Sequence, residues 1–421
     1  MKPGKDILTL NLEDIFQNKI FMENILIEKL KGPSVKEREI EMVERKGIGH
    51  PDTICDALAE TASLALSQFY LQKFKKVLHH NLDKGLLVAG KAEVKFGGGK
   101  ILEPIKIIIA GRATSKVGKI KIPVEKIVLK AISNWLSQNL GFSLKEIKKI
   151  FKISLEFQEG AENLKEVFRR GREIPIANDT SFGAAHFPLS ETERLTLNLA
   201  NFINSQKFLK KFPFVGKDIK VMALRRKRKI NLTLAAAYIS RFFKNTQEYF
   251  EAKRKVVKEI ENYLKRRFNF EEIEIEHNTL DNPLAKKENE IYLTVTGLSA
   301  EQGDDGQVGR GNRVCGLITP FREISLEAAA GKNINHPGKL YQVLSFLLAK
   351  EIGKIEGVEE CYVKLLSEIG KPLAKPKMAL IEIRAKNFSK IKDKAFLICQ
   401  NYLQNLEKVQ KGLIKGKYQI F

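Results

Sequence analysis

Segments that favour strands and segments that favour helices follow one another irregularly along the chain, and this order constrains the fold most strongly. Apolar residues at helical spacing predict a helix from Thr53 to Leu71, with Asp52 where an N-cap belongs. A second predicted helix runs from about Val124 to Leu140 and ends at Gly141. The other predicted helices are 190–204, 244–268, 338–353 and 389–411, and the predicted strands are 23–30, 85–94, 105–111, 230–239, 290–297, 361–369 and 379–385. This pattern predicts an α+β protein with antiparallel or mixed sheets, not a regular βαβ array.

Length and charge narrow the possible partners. The chain has 421 residues, which suggests two to four domains at roughly 100–200 residues each. Hydrophobic residues make up 43%, enough to bury a core, so we do not expect wholesale disorder. The chain has 73 Lys and Arg and 50 Asp and Glu, so its formal net charge is +23. This charge favours anionic partners such as phosphates, nucleotides, nucleic acid or anionic lipid, without choosing among them.

Cysteine spacing and hydropathy indicate a cytoplasmic protein that does not bind a membrane. The four cysteines are far apart and form no Cys-x-x-Cys pair, so they are predicted to be free thiols in a reducing compartment. No apolar run approaches the ~18 residues that a membrane-spanning helix needs. Acidic residues interrupt the N-terminal segment where a signal peptide needs an apolar stretch.

The common nucleotide and metalloprotease signatures are absent, but the segment ERKGIGHPDTICD (44–56) has residues suited to chemistry. There is no Gly-x-x-x-x-Gly-Lys-Ser/Thr, no Gly-x-Gly-x-x-Gly between a strand and a helix, and no His-Glu-x-x-His. In 44–56, glycines flank a turn that brings His50 and Asp52 to a helix start, where phosphate and a bound Mg²⁺ are favoured. The alternative is that Asp52 is only a cap and His50 only a turn residue.

Three further segments combine glycine with charged and polar residues. The segment 296–313 carries Gly303, Gly306, Asp304 and Arg310, which suit close backbone approach, a hard cation and phosphate oxygens. The other two are ANDTSFGAAHFPLS (177–190), which also fits a plain loop and helix cap, and EAAAGKNINHPGK (327–339), which also fits a solvated basic loop. Together the four segments supply acids for Mg²⁺, bases for phosphate and a histidine, a set that suits a triphosphate substrate.

The motifs ERKGIGHPDTICD, NDTSFG, GDDGQVGRGNR, LITPFR and GKNINHPGK resemble those of the archaeal-type S-adenosylmethionine synthetases. HHN (79–81), KFGGG (95–99), GRAT (111–114), KVMALR (220–225) and LLSEIGKP (365–372) extend the likeness. It runs from about Met22 to the C-terminus, so residues 1–21 are predicted to be an N-terminal extension and 22–421 the synthetase. The resemblance implies three intertwined, pseudo-symmetric α+β domains, each a mixed sheet packed on helices. It also implies a homodimer with active sites at the subunit interface.

The resemblance implies a reaction between ATP and L-methionine, with a Mg²⁺ requirement and help from K⁺. By motif position, His50, Arg310 and Lys332 are the implied catalytic residues, and Asp52 and Asp304 the implied Mg²⁺ ligands. His50 is placed near the ribose O5′, where it stabilises the leaving oxygen. Candidate contacts to ATP and its phosphates are Gln158, Glu159, Gly160, Ala161, Asp179, Lys229, Gly303, Gly306, His336 and Lys339.

Departures from the family pattern keep alternatives open. The usual Gly-x-Gly-Ser loop followed by an acid is FQEGAEN (157–163) here, HHNLDK (79–84) differs at two positions, and GKNINH (331–336) is one residue shorter. One alternative is therefore a diverged, weakly active or regulatory relative that binds nucleotide and pairs with an active subunit. Another is a nucleic-acid-binding protein, which would need a basic stripe with stacking aromatics. Only RRKRK (225–229) and KRR (265–267) come close, so nucleic acid is not an expected partner.

Overall fold

Strands and helices alternate along the described part of the chain. The computed structural model describes residues 24–160 and 175–421. The strands in these ranges are β1 (Ile25–Lys29), β2 (Ile40–Lys46), β3 (His80–Val88), β4 (Lys91–Lys95), β5 (Gly98–Glu103), β6 (Ile105–Ala113), β7 (Lys116–Val117), β8 (Ile120–Lys121), β9 (Phe151–Gln158), β10 (Phe182–Phe187), β11 (Val215–Arg226), β12 (Lys229–Ile239), β13 (Glu272–His277), β14 (Leu293–Thr294), β15 (Gly306–Gln307), β16 (Val358–Leu366) and β17 (Met378–Ala385). The α-helices there are α1 (Pro51–Phe74), α2 (Val124–Trp135), α3 (Leu144–Ile150), α4 (Glu191–Ile203), α5 (Gln206–Lys211), α6 (Thr246–Lys265), α7 (Pro337–Ile352), α8 (Phe388–Gln404) and α9 (Leu406–Ile414).

Three mixed sheets form the framework. Sheet A has the strand order β1-β17-β16-β10, sheet B the order β13-β12-β11-β2, with β14 beside β12, and sheet C the order β15-β3-β6-β9. Each sheet combines parallel and antiparallel pairs: β1 is parallel to β17, β13 to β12 and β9 to β6. The α+β class with mixed sheets is therefore confirmed.

Helices pack on each of the three sheets, and each sheet and its helices enclose a separate hydrophobic core. Sheet A packs against α7 and α8, sheet B against α4 and α6, and sheet C against α1 and α2. The chain passes repeatedly between these units: β1 belongs to sheet A, β2 to sheet B and β3 to sheet C. Because β2 leads directly into α1, the start of α1 lies at the junction of sheets B and C.

The predicted strand 85–94 is divided between β3 and β4, which belong to different sheets. Two further local predictions were wrong. The N-cap of α1 is His50, and Asp52 lies in the first helical turn, because the His50 side chain accepts the Asp52 backbone N–H at 3.2 Å. The strand predicted over 290–297 is reduced to the two residues of β14. Its later N–H groups turn away, since the Glu301 carboxylate accepts the Val295 N–H and the Thr296 N–H, the latter at 2.6 Å. A buried carboxylate that binds consecutive backbone donors competes with a sheet ladder.

The predicted extension at 1–21 lies outside the described residues, and so does Ala161. Within the described ranges, helices long and apolar enough to cross a membrane are absent.

His277 makes stability depend on pH. It is buried in sheet B, where its Nδ1 faces the Leu234 carbonyl at 3.0 Å and its Nε2 faces the Tyr238 hydroxyl at 2.9 Å. Burial lowers the pKa of His277 to about 4, whereas histidine in an unfolded chain titrates near 6.5. The unfolded chain therefore binds more protons between these values, and we expect stability to fall as the pH drops from about 6.5 towards 4.

For one such group the slope reaches about 1.4 kcal/mol per pH unit. Chemical denaturation at pH 7.5, 6.5, 5.5 and 4.5 measures it, with His277→Asn as the comparison. The variant is less stable at every pH but has a shallower dependence on pH. An unchanged slope in the variant would assign the acid sensitivity to other groups.

Candidate functional site

The amino end of α1 is the first part of the site. β2 ends at Lys46, and the turn Gly47–Gly49 brings the chain back so that His50 caps the helix. This turn packs directly on the first residues of β11: a Cβ on Gly49 would be 2.6 Å from the Asp218 backbone nitrogen. Only glycine permits this approach, which holds His50 and Asp52 beside Asp218.

Lys46 ties the helix start to the glycine-rich loop that contains β15. Its ammonium donates to Asp52 Oδ2 at 2.8 Å and to the Arg310 carbonyl at 2.6 Å. The other oxygen of Asp52 accepts the Gln307 backbone N–H at 2.9 Å. The Arg310 side chain is exposed and has no ion-pair partner among the described residues, so its forked donors are available to an anion.

His50 is a neutral hydrogen-bond donor at physiological pH. Burial, reinforced by the nearby Lys46 charge, lowers the pKa of His50 to about 4. Because Nδ1 accepts the Asp52 backbone N–H, the single ring proton is on Nε2. The helix cap therefore fixes the tautomer and directs the N–H away from the helix.

Asp218, Ser299 and Asp304 form a carboxylate pair around one hydroxyl. Asp218 Oδ2 accepts the Ser299 backbone N–H at 2.7 Å and also its hydroxyl, while that hydroxyl lies 2.9 Å from Asp304 Oδ2. One hydroxyl has one proton and cannot satisfy both carboxylates. Burial raises the pKa of Asp218 to about 7, and the neighbouring Asp304 and Asp52 charges add to this rise.

These carboxylates fit a hard cation. Mg²⁺ prefers oxygen ligands and is usually held by one or two carboxylates together with substrate phosphates and water. Asp52 and Asp304 supply such oxygens, and a cation would relieve the crowding at Ser299. A complete protein cage of three or more His, Cys, Asp or Glu is not found in the described ranges. Two carboxylates fit an ion that substrate phosphate oxygens help to bind.

An acidic stripe runs along α1 from the first part of the site towards a second part, which surrounds Lys332. Asp52, Asp56 and Glu60 are four residues apart and share one helix face. Asp56 accepts the Gly309 N–H at 2.8 Å, and Glu60 accepts the Gly331 N–H at 3.1 Å. Burial raises the pKa of Asp56 to about 7. The stripe holds the two glycine-containing loops side by side.

The second part of the site surrounds Lys332. Its ammonium binds Asp83 Oδ2 at 2.6 Å and Glu327 Oε1 at 3.0 Å. These residues line a cavity of about 550 Å³, called the cleft below, which Gln307 and Gly309 connect to the first part. One of the three ammonium donors of Lys332 remains for a ligand.

His336 repeats the local geometry of His50. It caps α7 with its side chain, which accepts the Gly338 N–H at 3.0 Å, and a proline follows in both cases. Burial, with the nearby Lys332 charge, lowers the pKa of His336 to about 4. Its Nε2 lies 3.6 Å from Asp179 Oδ2, so the structure brings Asp179 to this cluster.

Lys339 lies beneath the cleft rather than in it. The side chain is almost fully buried, and its ammonium donates to Glu60 Oε2 at 2.6 Å. A direct phosphate contact by Lys339 is therefore not supported in this arrangement.

The predicted nucleotide loop follows β9. Gln158 ends that strand and pairs with Arg112, whose own neighbour across the sheet is Asn81. Asn81 in turn pairs with the backbone of Lys332, so Gln158 and Glu159 lie towards the same edge as the second part of the site. Gly160 packs so closely on the His79 ring that a Cβ would come within 2.4 Å of it.

Lys229 is not brought to the site. It lies across the β11–β12 hairpin from Arg226, whereas Lys220 pairs with Lys46. Six residues of strand separate these positions, about 20 Å at the usual rise. Lys229 instead forms an exposed ion pair with Glu272. Three other residues of the basic run are also matched by acids: Arg225 by Glu41, Lys227 by Glu39 and Arg228 by Glu191.

Sequence reasoning missed several site residues. They are Lys46, Asp56, Glu60, Asp83, Asp218 and Glu327. The four-residue spacing of Asp52, Asp56 and Glu60 was a usable signal. Asp218 gave none, because only the folded chain brings it next to the motifs.

Gly306 tests the contact between the glycine-rich loop and α1. A Cβ there would lie 2.4 Å from the Pro51 carbonyl carbon, so Gly306→Ala must separate β15 from the helix start. Displacing reactive groups by about 1 Å costs about 10²-fold in rate, and we expect a loss of that order in kcat/KM. Steady-state kinetics measures it. Gly118→Ala, where nothing lies within 4 Å of the new Cβ, is the control: its φ of +58° costs some stability, but the enzyme keeps its activity. Equal kinetics in both variants would show that the loop tolerates the displacement.

Comparison with known proteins gives consistent matches over nearly the whole chain. The model of the S-adenosylmethionine synthetase (AdoMet synthetase) family matches residues 23–417. The S-adenosylmethionine synthase of Methanocaldococcus jannaschii is 47% identical over 411 residues, 95% of this chain and 100% of that protein. The S-adenosylmethionine synthase of Pyrococcus furiosus is 43% identical over 404 residues, 94% and 99% of the two chains. Among solved structures, an unusual S-adenosylmethionine synthetase from Campylobacter jejuni has a similar fold, with a TM-score of 0.55, 16% identity, and coverage of 89% of this chain and 90% of that one.

Proposed function

Because the chain belongs to the S-adenosylmethionine synthetase family, we propose that it is a methionine adenosyltransferase whose chemistry takes place between the start of α1 and the cleft. The methionine sulfur attacks ribose C5′ of ATP, the S–C5′ bond forms, and the C5′–O5′ electron pair leaves with the tripolyphosphate. Water then cleaves the tripolyphosphate to pyrophosphate and orthophosphate.

The displacement needs alignment and charge stabilisation rather than a base. A thioether sulfur is a neutral nucleophile, so the barrier depends on in-line geometry and on the charge that develops at O5′. In this proposal His50 donates its Nε2–H to that oxygen. Its lowered pKa keeps it neutral, and the helix cap keeps the donor in place.

The tripolyphosphate requires cations on both sides of the acidic stripe. Arg310 and Lys332 are proposed to bind its oxygens, Arg310 from the exposed loop and Lys332 from the cleft. A Mg²⁺ ion held by Asp52 and Asp304 would neutralise charge on the phosphates. Lys46 keeps the Asp52 carboxylate oriented, and Ser299 does the same for Asp304.

The convergence of His50, Asp52 and Asp304 at one helix start supports this assignment best. The test is to incubate the purified protein with ATP, L-methionine, Mg²⁺ and K⁺ and to quantify S-adenosylmethionine, pyrophosphate and orthophosphate together. We expect equal amounts of all three. Release of pyrophosphate or orthophosphate from ATP without S-adenosylmethionine would contradict the transferase. Leaving out K⁺ tests the predicted requirement for that ion.

We also propose a homodimer that forms through the outer faces of the sheets. A groove of about 950 Å³ runs across sheets A and B, with large apolar side chains exposed along it. Phe182 is 47% exposed, Met42 is 42% and Met378 is 39%. Exposed apolar surface of this extent is typical of a subunit interface.

The four buried, unpaired cysteines fit the reducing cytoplasm.

Phe182→Glu places a charge in the middle of this groove. We expect the variant to be monomeric by light scattering and to lose at least about 10-fold in kcat/KM, since the proposed active sites lie at the interface. Leu144→Glu, on a side chain 60% exposed at the start of α3, is the control and remains dimeric. A fully active monomer would contradict shared active sites.

A further inference from the structure

A second cavity lies behind the start of α1. Its volume is about 340 Å³, at the low end of small-molecule pockets, which span about 300–1,000 Å³. Its walls come from α4, from the last turn after α2 and from the chain between β2 and α1, and it shares no lining residue with the cleft. We refer to it as the rear cavity.

Two cations in the rear cavity have no carboxylate partner. Neither Arg45 nor Lys217 has an ion pair with a described acid. Arg45 donates to the Gly316 carbonyl and, at 3.4 Å, to Asn201 Oδ1; Lys217 donates to the Asn139 carbonyl. A guanidinium has five N–H donors and an ammonium three, so both retain donors for a ligand.

Burial of these cations is unfavourable unless an anion joins them. Burial lowers the pKa of Arg45 to about 10 and also lowers that of Lys217. Most other buried or half-buried cations of the site face acids, as Lys332 faces Asp83. Partly desolvated charges without partners cost free energy, and a multivalent anion would recover it.

A buried hydroxyl without a partner also lines the rear cavity. Thr53 is 3% exposed, and its Oγ1 makes no hydrogen bond with the described residues. Unsatisfied buried hydroxyls are rare and need an explanation, such as a missing ligand or water. Thr53 follows Asp52 directly in the sequence, so the rear cavity lies next to the proposed Mg²⁺ site.

We propose that the rear cavity is a binding site for a small multivalent oxyanion, held by Arg45, Lys217 and the Thr53 hydroxyl. Two unpaired cations match a dianion better than a single carboxylate, and the forked donors of arginine match tetrahedral oxyanions. Orthophosphate has this charge and shape. Lys46 lines the rear cavity and also binds Asp52, so a bound anion lies one side chain away from the catalytic centre. The site itself does not depend on turnover; that its natural ligand is the orthophosphate product rests on the proposed function.

The test measures binding to the rear cavity alone, because the catalytic site is occupied beforehand. The protein is saturated with Mg²⁺ and adenosine 5′-(β,γ-imido)triphosphate and then titrated with orthophosphate by calorimetry. We expect one remaining site per chain, weakened about 10–100-fold by Lys217→Met because a hydrogen bond to a charged group is lost. Thr53→Val, which keeps the shape, weakens it less. Lys210→Met, an exposed lysine in the last turn of α5, leaves it unchanged.

Parallel titrations with pyrophosphate and sulfate identify the ligand. Tightest binding of orthophosphate supports the product, while equal binding of sulfate supports the oxyanion site without product selectivity. Absence of binding to the filled protein overturns the proposal, and so does equal affinity in wild type and folded Lys217→Met. Because binding is measured without turnover, failure of the transferase assay does not affect this result.

Discussion

Replacing His50 with asparagine is expected to lower kcat for S-adenosylmethionine formation by about 10²–10³-fold, the usual effect of removing one preorganised donor to a developing anion. Asparagine is a good N-cap, so helix α1 keeps its first turn while the Nε2–H is lost. The Michaelis constant for ATP should change little, because the donor acts mainly on charge that appears in the transition state.

Two further variants separate chemistry from folding. His50→Ala removes both the donor and the cap, so it adds a stability loss of about 1 kcal/mol to the same loss in kcat. Ser143→Asn exchanges one N-cap for another on α3, away from the site, and leaves kinetics unchanged. Steady-state kinetics and thermal unfolding are measured on all four proteins. A His50→Asn enzyme within threefold of the wild-type kcat would remove His50 from the catalytic residues.

Glu60→Gln is expected to destabilise the protein by about 3–5 kcal/mol, the largest stability effect we predict. Lys339 is 1% exposed, and Glu60 is its only ion-pair partner among the described residues. Removing the carboxylate charge leaves a buried ammonium uncompensated. Glutamine also disturbs the acceptor of the Gly331 N–H, which holds the loop before α7 against α1.

Restoring charge balance should recover much of this loss. The double variant Glu60→Gln/Lys339→Met removes both charges of this pair, and replacing both members of a buried pair is often close to neutral. Glu407→Gln breaks an exposed pair with Lys411 and serves as the control, with unchanged stability. Guanidinium unfolding of the wild type, Glu60→Gln, Lys339→Met and the double variant gives the coupling free energy of the pair. If the double variant were as unstable as Glu60→Gln, the cost would come from packing and not from the unpaired charge.

Local chemistry explains which parts of the fold were predictable. Amphipathic periodicity correctly indicated α1, α2, α4, α6, α7 and α8, because burying one helix face leaves a regular pattern in the sequence. The strand predicted over 290–297 failed because Glu301, a residue outside that pattern, binds its backbone donors. Asp52 was misplaced as the cap because histidine rarely occupies that position, and only the geometry shows that the His50 ring does so.

The sequence by itself determined the family, the α+β class and the motifs that contain His50, Asp52, Asp304, Arg310 and Lys332. These motifs are contiguous patterns of glycine, acidic and basic residues, so they can be recognised without the fold. The tertiary structure alone decided which distant residues join them. Asp218 approaches Gly49 because β11 pairs with β2, Glu60 pairs with Lys339 across 279 positions, and Lys229 is carried about 20 Å away along a hairpin. The tertiary structure also sets the pKa values of His50 and Asp218, because their burial and their neighbouring charges exist only in the folded chain.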